Sequence, residues 1–173
     1  GVLGLGELGR DAARALSALR FDVAGWSRSP KTLDGVTCLD GAEGLDALLA
    51  RSEILVGLLP STPSTRNLLD ADALAKLPRG ARIVNAGRGD LIDDDALLAA
   101  LDAGHVAQAT LDVFREEPLP ADHPYRRHPR VTVTPHVASA TRTETAAETV
   151  IAQIARMERG EAPLHIVDRS RGY

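Results

Sequence analysis

Arg88, Glu117 and His136 form a sufficient set for reducing a ketone without a metal ion. Hydride arriving at a carbonyl carbon leaves negative charge on the oxygen. A guanidinium stabilises that charge and holds a substrate carboxylate. A protonated imidazole delivers the proton as general acid, and a neighbouring carboxylate favours the charged ring and fixes its orientation. Each of the three stands just past an apolar run of strand length: Ile83-Val84-Asn85-Ala86-Gly87, Leu111-Asp112-Val113-Phe114 and Val131-Thr132-Val133-Thr134-Pro135. Ligands of an open α/β sheet bind beyond the carboxyl ends of its strands, so all three are expected on one rim. Each also has a plainer reading: Arg88 as a surface turn residue, Glu117 as a solvated acid with Glu116 as its competitor, His136 as a structural histidine. Their order, downstream of a glycine-rich turn, favours the chemical reading.

That turn is Gly4-Leu5-Gly6-Glu7-Leu8-Gly9, set between strand residues and an amphipathic segment. In this context the first glycine permits the tight turn, the second lets a pyrophosphate approach, and the third lets a helix pack on its strand. The helix N-terminus then offers free N–H groups and partial positive charge to phosphates. A site that prefers NAD places an acid about 20 residues on, to accept from the ribose 2′-hydroxyl. Here Trp26-Ser27-Arg28-Ser29-Pro30-Lys31 has no acid. Ser27, Arg28, Ser29 and Lys31 suit a 2′-phosphate instead, because guanidinium–phosphate bonds are charge-assisted and can be bidentate. The expected cofactor is therefore NADP (NADPH), with NAD less favoured.

These residues need a parallel sheet to position them, and the remaining pattern supplies one. A helix is expected after Gly9, with Leu8, Ala12, Leu16 and Leu19 on one face. Strands are expected over Phe21 to Trp26, Ile54 to Leu59 (fully buried), Arg82 to Asn85, Val106 to Val113 and Val131 to Val133. Helices are expected over Leu45 to Ala50, Asp72 to Leu77, Asp93 to Ala103 and Ala140 to Glu158, while Ser27 to Gly44, broken by Pro30 and several glycines, reads mostly as loop. Alternating strands and helices imply a doubly wound parallel sheet of Rossmann type. Only two or three strand residues precede the glycines, so the first strand is expected to be cut short. The last helix carries an apolar stripe (Ala147, Val150, Ile151, Ile154) with no evident partner. The expected division is residues 1–137 as dinucleotide-binding domain and 138–173 as an appendage.

Composition narrows the partners. With 44% hydrophobic, 25% charged and 3% aromatic residues and a net charge of −4, neither nucleic-acid stacking nor attraction to an anionic membrane is favoured. No apolar run approaches the ~18 residues of a membrane span. No signal-peptide pattern is present, and one cysteine (Cys38, read as lying in a loop) permits no internal disulfide, so a cytoplasmic setting is expected. His105 is read as a solvated loop residue, and His123 and His128 as structural residues of a proline-rich loop. The spacing of these histidines suggests no metal site.

Taken together, the segments Gly4 to Gly9, Leu59-Pro60-Ser61-Thr62-Pro63-Ser64-Thr65, Asn85-Ala86-Gly87-Arg88-Gly89, Leu111 to Pro118 and Thr134-Pro135-His136 resemble the D-isomer-specific 2-hydroxyacid dehydrogenases. Trp26 to Ser29, Arg127 to Arg130 and the ending Val167 to Tyr173 resemble the branch of that family reducing glyoxylate and hydroxypyruvate. The resemblance implies Arg88 as the substrate-binding catalytic arginine, His136 as proton donor and Glu117 as its partner. It implies Gly4, Gly6, Glu7, Leu8 and Gly9 at the pyrophosphate, and Leu59, Pro60, Thr65 and Ala86 along the cofactor groove. Asp112 would face the nicotinamide carboxamide. NADPH use, glyoxylate and hydroxypyruvate as substrates, and a homodimer are further implications. A second, flavodoxin-like substrate domain is another, completed by the last helix and largely absent from this sequence. Arg126 departs from the branch, which carries an aromatic residue there, and His165 lies in a variable tail. Phosphohydroxypyruvate- or pyruvate-reducing relatives, and a nucleotide-sensing protein-binding module, are the alternative readings.

Overall fold

The computed structural model describes residues 1–164 and 166–168. His165 and residues 169–173, part of the tail quoted for the resemblance, lie outside the described residues. The chain divides into two compact units, Gly1–His136 and Val137–Tyr173.

In the first unit, strands β1 (Val2–Leu3), β2 (Val23–Ser27), β3 (Val36–Asp40), β4 (Ile54–Gly57), β5 (Ala81–Asn85), β6 (Val106–Leu111) and β7 (Val131–Val133) form one sheet in the order β3-β2-β1-β4-β5-β6-β7. Every pairing is parallel. All carboxyl ends therefore share one edge, and the order reverses between β1 and β4, where such sheets open a crevice.

Between the strands run helices α1 (Glu7–Ala18), α2 (Gly41–Arg51), α3 (Ala71–Ala75) and α4 (Asp94–Asp102). Side chains of a strand alternate between faces, and the core divides accordingly. Val2 and Val23 join Leu5, Ala13 and Leu33 in a smaller cluster. Their neighbours Leu3 and Ala24 join the larger one with Leu48, Leu55, Ile83, Leu97 and Leu111. Each fully buried Leu or Ile contributes roughly 1.5–3 kcal/mol. Asp93 caps α4 by accepting from the Ala96 N–H at 3.0 Å, and Asp70 caps α3 by accepting from Ala73 N–H at 2.9 Å. Such caps are each worth about 1 kcal/mol.

Four expectations need correction. The segment Ser27 to Gly44 is not mostly loop: it contains β3, so Cys38 is a strand residue, and the start of α2. β3 is an edge strand whose residues are only half-buried or exposed, so it lacks the continuous apolar run that marks the inner strands. The buried face of α1 is Gly9 and Ala13, whereas Leu8 and Leu19 are exposed. The close approach of Gly9 to the sheet turns the helix so that small residues face inward. β4 ends at Gly57 and begins with an exposed Ile54, so it is not buried throughout. His105 is half-buried rather than solvated, with Nε2 3.0 Å from the Leu74 carbonyl oxygen.

In the second unit, α5 (Thr143–Glu158) has no buried residue, and Val150, Ile151, Ile154 and Met157 are exposed. The chain beyond it folds back locally: Arg156 donates from Nε and Nη2 to the Ala162 carbonyl at 3.2 and 3.1 Å. Among the described residues no helix is long and apolar enough to cross a membrane.

Candidate active site

The glycine-rich turn leaves β1 at the switch point, and its three glycines are required for three separate reasons. Gly4 has φ +103°, a conformation that favours glycine, and a Cβ there would lie 3.0 Å from the Leu58 carbonyl oxygen. A Cβ on Gly9 would lie 1.7 Å from the Gly4 carbonyl oxygen, so only glycine lets α1 sit this close to the turn. Gly6, which caps α1, is different: a Cβ there would meet no protein atom within 4 Å. The space beside Gly6 lies at a helix N-terminus, where unsatisfied N–H groups and partial positive charge fit an anion. This cradle fits a dinucleotide pyrophosphate. Glu7 and Leu8 in the first turn are exposed, and Glu7 pairs with Arg10.

At the end of β2, Ser27 is buried and its hydroxyl donates to the Ser29 carbonyl at 2.6 Å, which folds the chain so that Arg28, Ser29 and Lys31 stand exposed. At the end of β4, Leu59 is buried and Pro60 half-buried. Thr65 is tied in by donating from Oγ1 to the Pro60 carbonyl at 2.6 Å, while the Thr62 N–H donates to that hydroxyl at 2.9 Å. The hydroxyl thus holds its own loop in shape.

The chain after β5 shows how Arg88 is positioned. Asn85 is 1% exposed, and its side-chain amide bridges the loop, accepting from the Gly87 N–H at 3.2 Å and donating to the Arg88 carbonyl at 3.0 Å. Ala86 donates from its N–H to the Gly57 carbonyl at 3.1 Å, which binds the start of the loop to β4. Gly89 packs so closely that a Cβ would lie 1.9 Å from the Phe114 carbonyl carbon. The Arg88 loop is thereby set against the loop that carries Glu117.

Glu117 and His136 meet directly. His136 Nδ1 lies 2.7 Å from Glu117 Oε2, and the other carboxylate oxygen accepts from the Phe114 N–H at 2.9 Å. These two hydrogen bonds, first from His136 and then from Phe114, hold the Glu117 carboxyl below its ordinary range, with a smaller pull from the Arg88 charge. His136 has φ +55°, a left-handed conformation rare outside glycine, which turns the chain sharply after Pro135. With Nδ1–H donating to the carboxylate, Nε2 is the nitrogen left for a reacting group. A cavity of about 630 Å³ opens here. The connection between β6 and β7 lines it with Phe114, Glu117, Pro118, Leu119 and Arg126, and the end of β7 and the chain leaving it line it with Val133, Thr134, Pro135 and His136.

Asp112, 4% exposed at the end of β6, accepts from the Thr134 hydroxyl at 2.5 Å, which ties the last two strand ends together. Among the described residues no cluster of His, Cys, Asp or Glu has the arrangement of a metal site.

The structure thus brings Glu117 and His136 into contact, sets the Arg88 loop against theirs, and places the glycine turn on the same sheet edge. Glu116 does not line the His136 cavity; it lines a separate one with Asp94 and Tyr125. Three residues with positioning roles were missed: Asn85, Gly89 and Thr134. A polar residue ending an apolar strand was the available signal for Asn85. Gly89 and Thr134 act across gaps in sequence that no local pattern reveals.

Comparison with known proteins agrees with this fold. Residues 1–138 match the family described as D-isomer specific 2-hydroxyacid dehydrogenase, NAD binding domain. Over all 173 residues the chain is 47% identical to a glyoxylate/hydroxypyruvate reductase A of Yersinia enterocolitica and 46% identical to one of Serratia proteamaculans, covering 55% of each. The chain therefore spans about half the length of these curated relatives. Among solved structures, a D-isomer specific 2-hydroxyacid dehydrogenase from Xanthobacter autotrophicus in complex with NADPH and MES superposes with a TM-score of 0.96 at 53% identity, over 100% of this chain and 72% of that one. An NADPH-dependent glyoxylate/hydroxypyruvate reductase from Sinorhizobium meliloti in complex with NADP and sulfate gives 0.94 at 45% identity, over 100% of this chain and 56% of that one. Sequence match and fold agree, and the chain belongs to the family of D-isomer specific 2-hydroxyacid dehydrogenases.

Proposed function

We propose that the intact protein reduces small 2-keto acids with NADPH, glyoxylate to glycolate and hydroxypyruvate to glycerate. The observation that carries this reading is the His136–Glu117 pair at 2.7 Å, opening on a cavity at the sheet edge that also holds the glycine turn. Gly4, Gly6 and Gly9 with the first turn of α1 would hold the pyrophosphate, and Ser27, Arg28, Ser29 and Lys31 the ribose 2′-phosphate. Leu59, Pro60, Thr65, Ala86 and Asp112 would line the remaining groove. Bound there, the reduced nicotinamide supplies hydride.

The chain's own residues do the rest. Arg88 binds the substrate carboxylate and stabilises charge growing on the carbonyl oxygen. As the carbonyl carbon gains hydride, its oxygen takes a proton from Nε2 of His136, giving the alcohol. Glu117 remains ionised, holds the ring by Nδ1 and stabilises its charged form. Solvent returns the proton to His136.

We further propose that residues 138–173 return to a second, flavodoxin-like domain that forms the other wall of the cleft, which the length of the relatives and the uncovered face of α5 support. A homodimer is part of the proposal. The test is oxidation of NADPH by the intact protein with glyoxylate and with hydroxypyruvate. Turnover with both, and much slower turnover with NADH, is expected. Equal use of NADH would remove the role given to Arg28, and no turnover with either acid would remove the substrate assignment.

A further inference from the structure

The cavity beside His136 contains an arginine that the reaction outlined above does not use. Arg126 lines the cavity with Glu117 and His136. Its guanidinium is held from behind: Nε donates to the Pro120 carbonyl at 2.9 Å and Nη2 to the Leu119 carbonyl at 2.6 Å. Those bonds fix the plane of the group and use none of its charge. No carboxylate pairs with Arg126 among the described residues. Arg115, on the same connection between strands, is by contrast matched by Asp94 at 3.3 Å. Among the described residues Glu117 is the cavity's one lining carboxylate, and its two oxygens already accept from His136 and the Phe114 N–H. Phe114, Leu119 and Val133 complete an apolar wall.

We propose that Arg126 is a specificity-determining residue that binds a second carboxylate on the substrate, so that 2-oxo dicarboxylic acids are reduced in preference to 2-oxo acids of equal length with an uncharged tail. This rests on the reading of His136 and Arg88 as the groups that handle the ketone and its adjoining carboxylate. With Nε–H and one N–H of Nη2 anchored, both N–H groups of Nη1 and the second of Nη2 are left for the ligand. Paired at the free end of the guanidinium, Nη1 and Nη2 match the two oxygens of a carboxylate. Glyoxylate has no tail and makes no such contact.

The test compares kcat/KM of the intact protein for oxaloacetate, 2-oxobutanoate and glyoxylate with NADPH. Oxaloacetate should exceed 2-oxobutanoate by about 10-fold or more, the range of a charge-assisted hydrogen bond. In R126Q, which keeps a hydrogen-bonding side chain but loses the charge, that ratio should collapse towards one. If Arg126 only braces the Leu119–Pro120 segment, all three substrates fall together and the ratio stands, which overturns the proposal. A measurement on the unaltered protein needs no variant to fold. Succinate should compete with glyoxylate about 10-fold more tightly than butyrate does, and equal inhibition overturns the proposal. The two readings fail separately: glyoxylate turnover without dicarboxylate preference removes Arg126 alone, and no turnover of any 2-oxo acid removes the reaction beneath it.

Discussion

At the scale of single residues, hydrogen bonds occupy some atoms of the rim and leave others available. Glu117 spends one oxygen on the Phe114 N–H and the other on His136 Nδ1, so the imidazole has one orientation and one open nitrogen. Because both bonds favour the charged carboxylate, the Glu117 carboxyl is held below the ordinary glutamate value of 4.5. A folded-state value below the unfolded one means that the pairing contributes stability above the unfolded value and loses it as pH falls through the folded one. Carboxyl-carbon NMR titration should therefore find Glu117 still ionised at a pH where an ordinary glutamate is half protonated. A midpoint at or above 4.5 would show that the two bonds do not hold in solution. Asn85 makes a different case. Its buried amide satisfies one N–H and one carbonyl of the loop that presents Arg88. Asn85→Ala leaves both without their partner and should lower stability by about 1–3 kcal/mol, read by chemical denaturation.

At the scale of elements, the glycine turn separates folding from binding, because its members face different things. Gly9→Ala forces a methyl into the Gly4 carbonyl at 1.7 Å and should lower the melting temperature markedly. Gly6→Val places its side chain in open space and should leave the melting temperature close to that of the parent while weakening NADPH binding, by calorimetry, at least 10-fold. Equal destabilisation by both would mean that Gly6 is as packed as Gly9. The turn, the inner strands and the order Arg88, Glu117, His136 were legible in the sequence because each has a local mark: glycine spacing, a continuous apolar run, a polar residue just past it. β3 was not, because an edge strand of half-buried residues between Gly35 and Gly41 has neither an apolar run nor clean alternation. The face of α1 was misread because the leucines carry the periodicity while the approach of Gly9 decides which side turns inward. Gly89 against Phe114, and Thr134 on Asp112, belong to tertiary packing and have no counterpart in local pattern.

At the scale of the whole molecule, a parallel sheet puts every strand's carboxyl end on one edge, and so collects the glycine turn, the Arg88 loop and the Glu117–His136 pair from segments spread over more than 130 residues. The second unit follows a different logic. A 16-residue helix with no buried residue is marginal by itself. In the 173-residue chain alone, amides of α5 should exchange with deuterium far faster than those of β5 and β6, and should become protected in the intact protein, where we propose that a second domain covers them. Equal protection in both would count against that cover. The most direct test of the central claim is the effect of His136→Asn in the intact protein on turnover and on cofactor affinity, measured side by side. Loss of a general acid costs 10²–10⁴-fold. With His136 as the proton donor, kcat for glyoxylate should fall ~100-fold or more while the Kd for NADPH stays within about threefold of the parent. Turnover within threefold of the parent would contradict it.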